Sequence, residues 1–393
     1  MKNKNIVILF VSLVIAMLGF GIALTVLPFF IHDLGGGGTQ FGILMALFGL
    51  MQLFFAPLWG KVSDKYGRKV VLIIGMVGLG SAMMFFGLAR EIWMLYAAQT
   101  ASGILSSAVF PAAMAYIGDS SDEDSRTGAM GKVGAAAGLG VIIGPGLGGI
   151  LAAESYGTPF FVAAGLCLIT CLTILLWLPE SLPKEKRLSS RERIDPVAIK
   201  GMWQAVFTPI GFALLIAFAV NFGKSNFTGA YAFYAAERFS FSTEDVGTIL
   251  MVAGLLYAVA QGVLVGPLTE KLGEVRVIKL SLLGSSAGFI LMLLAVDYAS
   301  MLITAGIFTL FNALLKPATL AVISRKTTIS QGSAMGIAES YMSLGRIAGP
   351  LWAGYILDVN IHYPYISGAL FFFLMFLISM RAGGEKLSVD RTA

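Results

Sequence analysis

The sequence predicts an all-α integral membrane protein: twelve transmembrane helices in two six-helix, pseudo-repeated bundles around a central cavity. Three observations predict it, namely an apolar composition, a series of long apolar runs, and a correspondence between the two halves of the chain. Of the 393 residues, 57% are hydrophobic and only 12% charged, whereas a soluble globular domain carries about a quarter charged residues. Runs of about 20 apolar residues are long enough to cross a bilayer as helices. Twelve occur, over 5–31, 40–60, 70–89, 92–117, 129–153, 158–178, 205–235, 244–266, 277–296, 299–324, 332–356 and 362–380.

The first run follows Lys2 and Lys4, exceeds the length of a signal-peptide core, and carries Pro28 in place of a small-residue cleavage site. It is expected to remain as the first span. Charge orders the loops between the runs. With the N-terminus in the cytoplasm, inner segments hold 22 of the 27 Lys and Arg, while the outer loops hold only Arg90 and Arg238. This is the positive-inside bias, so the net charge of +5 reports topology and not a nucleic-acid partner. Both termini and the polar stretch 181–204 then face the cytoplasm, and the bias fits a bacterial plasma membrane.

Catalysis has little support. The only histidines, His32 and His362, fall in expected outer loops. No Gly-rich phosphate loop, metal-spaced His or Cys cluster or nucleophile triad is evident, so neither a metal nor a cofactor is expected. Cys167 and Cys171, one turn apart in the sixth run, are expected to pack as small buried residues.

Displacing the chain by 205 or 206 residues aligns its halves. Gly60 to Gly67, "GKVSDKYG", falls on Gly266 to Gly273, "GPLTEKLG"; Gly144 to Leu151 falls on Gly349 to Leu357; Pro111 to Ile117 falls on Pro317 to Ile323; and Gly42 and Gly49 fall on Gly247 and Gly254. The expected organisation is therefore an N-terminal six-helix bundle over 1–180, a cytoplasmic linker over 181–204 and a C-terminal six-helix bundle over 205–393. Six spans per half keep both halves in one orientation, a parallel repeat suited to a transporter whose halves rock around a central site.

Gly60, Asp64, Gly67, Arg68 and Lys69 match the signature loop between spans two and three of the major facilitator superfamily, which the chain resembles over nearly its whole length. Gly138 to Gly149, "GLGVIIGPGLGG", is similar to the fifth-span motif of its antiporter branch, and Phe41 to Lys69 is similar to tetracycline and multidrug exporters. The resemblance implies export of small amphipathic molecules by alternating access in exchange for protons, from a monomer surrounded by lipid. It also implies that the signature loop, Gly60, Asp64, Gly67, Arg68 and Lys69, gates the protein, with Glu270 as the corresponding acid in the second half. Orientation of the chain is the plainer role for the same charges. Glu274 and Val275 replace Arg68 and Lys69 in the second copy, which is expected to latch more weakly.

The glycine-rich stretches have their own physical reading. Small residues let helix backbones approach closely in lipid, and proline removes a backbone hydrogen bond. Gly144, Pro145, Gly148 and Gly149, with Gly349 and Pro350, thus mark either tight static packing or a hinge.

Ionisable groups deep in a span are costly and mark function by default. Four qualify: Lys224 in span seven, Lys316 in span ten, and Glu339 and Arg346 in span eleven. Lys316 and Glu339 both lie about 12 Å from the cytoplasmic end of their spans, which predicts a salt bridge between them. Arg346, seven residues beyond Glu339, offers a second cation on the same face. Glu339, Lys316 and Arg346 are either a fixed ion-pair set or a proton-coupling set, because a carboxylate released from a cation in low dielectric gains proton affinity.

Related exporters carry acids in spans seven and ten where Thr228 and Asn312 stand here, and an arginine in span four where Gln99 stands. Neutral or anionic substrates gain weight accordingly. Candidate substrate-cavity residues are Lys224, Asn226, Phe227, Tyr231, Asn312 and Gln99, chosen for position on spans four, seven and ten, for buried amides that need partners, and for apolar area. Packing is the alternative reading for the aromatic ones.

Overall fold

The computed structural model describes residues 3–120, 123–183, 185, 187, 210–327 and 331–382; most of the expected linker and the start of the seventh run, 205–209, lie outside these. The described chain is helical: α1 Asn3–Asp33, α2 Gly38–Tyr66, α3 Arg68–Gly87, α4 Ile92–Ser106, α5 Val109–Ser120, α6 Glu123–Leu151, α7 Thr158–Trp177, α8 Gly211–Phe239, α9 Thr243–Val259, α10 Val265–Leu272, α11 Glu274–Leu293, α12 Tyr298–Lys326, α13 Gln331–Val359 and α14 Tyr363–Ala382. The π-helical segment Ala260–Leu264 joins α9 to α10. With α4 and α5 forming one span and α9 to α10 another, the helices make twelve spans, as the apolar runs predict.

Ten of these spans are apolar enough to cross a bilayer by composition alone. The other two, α8 and α13, are 29 residues each and carry the intramembrane charges Lys224, Glu339 and Arg346. Outward faces are hydrocarbon, as on α7, where Leu168, Ile169, Leu172 and Leu176 are exposed. That is the surface a helix needs in lipid, where its backbone groups are already paired internally.

Two compact units divide the chain. One comprises Met1–Gln40, Leu47–Asp195 and Phe241–Met251; the other comprises Phe41–Ala46, Pro196–Ser240 and Val252–Ala393. Each half of the chain thus places a short segment in the unit formed mostly by the other half, and the two segments are related by the sequence repeat.

Inside the first unit, α1 lies along α6. A Cβ at Gly144 would come within 2.7 Å of Leu18 O and 2.8 Å of Gly21 Cα, and one at Gly140 would fall on Val14 O. Inside the second unit, α8 lies along α13 in the same way. A Cβ at Gly349 would come within 2.6 Å of Phe222 O, and one at Gly345 would fall on Phe218 O. In both pairs the obstacle is backbone, which cannot rotate aside, so glycine is what permits the approach. The shared segments are built alike: Gly42 seats on Pro350 in the second unit and Gly247 on Pro145 in the first. Thr243 closes the latter contact by donating its hydroxyl to Gly149 O at 3.1 Å.

Helix ends follow local chemistry. Asp297 caps α12, accepting from Ser300 N at 2.8 Å while Ser300 Oγ accepts from Asp297 N at 3.0 Å, a reciprocal capping box. Pro111 lies in the first turn of α5, where its missing N–H has no partner to lose. Its counterpart Pro317 sits inside the unbroken α12.

Two outcomes are expected. Gly144→Val and Gly349→Val each lower the thermal unfolding temperature of the detergent-purified chain by several degrees, because backbone must move; Gly60→Val, where a Cβ meets nothing within 4 Å, leaves it unchanged. Asp297→Ala lowers it at neutral pH. The Ser300 hydroxyl and amide hold the Asp297 carboxyl below its ordinary pKa, so this stabilisation is present above the unfolded pKa and is lost as pH falls through the folded one. The gap between wild type and variant therefore closes in acid.

Candidate functional site: a clamped signature loop and a cationic cluster

The signature loop turns on Gly67, whose φ of 108° is open to glycine and strained for other residues. A Cβ there would also fall on the Glu180 carboxylate. The turn delivers Arg68 to the start of α3, where its side chain is almost wholly buried. The guanidinium donates to Asp64, one helical turn back, to Asp119 Oδ2 on α5 at 2.8 Å, and to Ser63 Oγ at 3.2 Å. Glu180, past the end of α7, accepts from Arg68 N at 2.9 Å and Lys69 N at 3.2 Å. A carboxylate at a helix N-terminus meets both free N–H groups and the positive end of the helix dipole. Lys69 Nζ donates to Leu175 O at 2.8 Å. Elements α2, α3, α5 and the end of α7 are thereby clamped within one unit.

The second copy of the loop is built differently. Gly273 again supplies the turn, with φ 79°, and Glu270 is exposed. Glu274, which replaces Arg68, pairs with Arg325 Nη2 at 2.9 Å. Arg325 is the counterpart of Asp119 at the same offset of 206 residues. The interhelix pair is therefore kept with its polarity reversed. It is also weaker, since the Arg325 side chain is 57% exposed against 8% for Arg68 and exposed pairs contribute little.

The four intramembrane charges all belong to the second unit. Lys224 Nζ on α8 stands 4.4 Å from the centroid of the Tyr257 ring, a cation–π contact. Gln261, in the π segment, donates to Tyr257 OH at 3.1 Å and to Ala313 O on α12 at 3.4 Å. Lys316 and Arg346 lie close enough to Lys224 to repel it electrostatically. Glu339 Oε1 accepts from Arg346 Nη2 at 2.9 Å. The expected Lys316–Glu339 bridge is not made: equal depth fixes the height of two side chains, not the direction in which each helix points them. Among the described residues neither Lys224 nor Lys316 is ion-paired.

Three candidate cavity residues lie in the interior of the second unit. Asn226 is fully buried and donates to Pro364 O at 2.9 Å, tying α8 to α14. Phe227 stacks among Tyr231 and Phe308, with ring centroids 4.9 and 5.0 Å away, and Tyr231 has no exposed surface. Their face of α8 is buried inside the second unit. Asn312 is also buried, its Nδ2 reaching Val220 O at 3.5 Å. Gln99 is buried in the first unit, 3% exposed. Gly144, Pro145, Gly148, Gly149, Gly349 and Pro350 all stand at the helix contacts described above.

The two ion pairs predict unequal responses. Arg68→Ala leaves Asp64 and Asp119 facing each other and is expected to destabilise the chain by about 1.5–3 kcal/mol, the range for hydrogen bonds to charged groups. Arg325→Ala should cost less than about 1 kcal/mol. Denaturant unfolding in detergent, followed by tryptophan fluorescence, measures both.

The profile of the Major Facilitator Superfamily matches residues 9–223 and 213–387, one match on each half. Multidrug resistance protein 2 of Bacillus subtilis (strain 168) is 33% identical over 369 residues, covering 93% of this chain and 92% of its own. Quinolone resistance protein NorA of Staphylococcus aureus (strain COL) is 29% identical over 364 residues, 92% of each chain. Among solved structures, the nucleoside transporter NupG superposes with a TM-score of 0.82 at 13% identity, over 96% of this chain and 99% of that one, a likeness of fold. Matched in both halves by the family profile and along nearly all its length by these relatives, the chain belongs to the Major Facilitator Superfamily.

Proposed function

We propose that this protein exports small amphipathic molecules from the cytoplasm by alternating access, in exchange for protons. The observation that carries the reading is its likeness, over 93% of its length, to a protein named for multidrug resistance. Two features of the chain support it. The long spans α1 with α6 and α8 with α13 meet through glycine faces that are smooth enough to slide, and Arg68 gathers the signature loop onto its own bundle through contacts that a conformational change can break. The proposed setting is a bacterial plasma membrane, with both termini inside and the protein a monomer among lipids.

Glu339 is the proposed proton carrier. Its side chain is 55% exposed and paired to Arg346 at 2.9 Å, an ion pair that a conformational change can break and remake. A second reading, a neutral or anionic cargo not coupled through the acids usual in related exporters, is favoured by Thr228 and Asn312 at the positions of those acids and by Lys224 and Lys316, which are not ion-paired among the described residues.

Everted membrane vesicles with an acidic interior test both readings. Addition of a transported compound should release protons from the lumen, read by a pH-sensitive dye, and Glu339→Gln should cut that signal by about tenfold or more. Full proton release by Glu339→Gln removes Glu339 as the carrier; flux of labelled compound with no proton release supports the second reading.

A further inference from the structure

The cationic cluster of the second unit is out of electrostatic balance. Lys224 and Lys316 come from spans seven and ten: Lys224 feels the repulsion of Lys316 and of Arg346, the Gln261 that holds the Tyr257 ring also donates to Ala313 O, one turn before Lys316, and neither lysine is ion-paired among the described residues. Glu339, the acid among the four intramembrane charges, is held by Arg346. Like charges in a low-dielectric interior repel strongly, and cations inside a span are retained where something else requires them.

The neighbouring backbone adds an independent observation. The π segment Ala260–Leu264 interrupts span eight directly beside Tyr257, and such single-turn insertions concentrate at functional sites. The insertion places Gln261 against the Tyr257 hydroxyl, which fixes the ring on which Lys224 rests. Lys224 is thus positioned by an aromatic face, a partner that holds a cation without neutralising it. Asn312, one turn before Lys316, brings an amide to the same stretch of α12 and no negative charge.

We infer that Lys224 and Lys316 bind the negatively charged head of an amphipathic organic anion, with Arg346 as a third cation for which the bound anion and Glu339 compete. The inference rests on the export reading above and names the charge class of its cargo. An ammonium point charge suits a carboxylate or sulfonate from any direction, while the apolar walls of the spans suit the hydrocarbon part of the same molecule.

The test uses the full chain, purified and reconstituted in liposomes, with three matched probes: a dansyl-alkyl sulfonate, its neutral ester and the corresponding quaternary ammonium. Binding is followed by dansyl fluorescence and transport by probe flux. The sulfonate should bind and cross at least tenfold better than the ammonium. Lys224→Gln and Lys316→Gln should each weaken sulfonate binding by about tenfold or more, Lys316→Arg should largely restore it, and Arg325→Gln, which removes a cation elsewhere in the unit, should leave it unchanged. Thermal unfolding reports whether each variant is folded; if the lysine variants are not, the wild-type preference for sulfonate over ammonium decides. Transport of the ammonium in preference to the sulfonate, or sulfonate binding indifferent to both folded lysine variants, overturns the anion site while export stands. No flux of any of the three probes, nor of a panel of cationic drugs, overturns the export reading and the inference with it.

Discussion

Backbone against backbone is the contact on which the rest of this structure depends. In lipid, apolar side chains gain nothing by leaving the solvent for each other, so helices associate through close packing. Here that packing is obtained by removing side chains: Gly140 and Gly144 let α6 lie on α1, and Gly345 and Gly349 let α13 lie on α8. The second of these pairs also sets the chemistry. It brings the helix bearing Lys224 against the helix bearing Glu339 and Arg346, with Gly345 next to Arg346 in the contact.

The signature loop shows what duplication retains and what it releases. Arg68–Asp119 and Glu274–Arg325 are equivalent pairs with opposite polarity. What each half needs at this position is an attraction between the start of one helix and the end of another, and either arrangement of signs supplies it. Only the first copy adds Asp64, Ser63 and the carboxylate of Glu180, which is why its arginine is buried and the second is not.

Much of the fold was legible in the sequence because span length and loop charge are one-dimensional signals. Even α8 and α13, less apolar than the other ten spans, are long enough apolar runs to be read as spans. The site was legible in part. Arg346 was correctly placed on the face of Glu339, since a spacing of seven residues is two helical turns. Lys316 was not, because no pattern along one helix encodes its rotation against another. The same limit applies to Asn226, Phe227 and Tyr231, whose assignment to the cavity rests on their span and which are buried inside the second unit. Asp119 and Glu180 were missed although a trace existed: the offset that pairs Arg68 with Glu274 also pairs Asp119 with Arg325, and a charge reversed at both positions is the mark of a conserved contact within one chain.

Lys224 and Lys316 also bear on what drives transport. A bacterial cell is electrically negative inside, and moving one elementary charge through 100 mV is worth about 2.3 kcal/mol, or roughly a fiftyfold concentration ratio. A cationic cargo must be exported against that field. An anion of the kind proposed for Lys224 and Lys316 would leave with it, and a proton entering in exchange would move charge in the same sense. A carrier of this kind can dispense with the intramembrane acids that a cation exporter needs, which is the composition that spans seven and ten present.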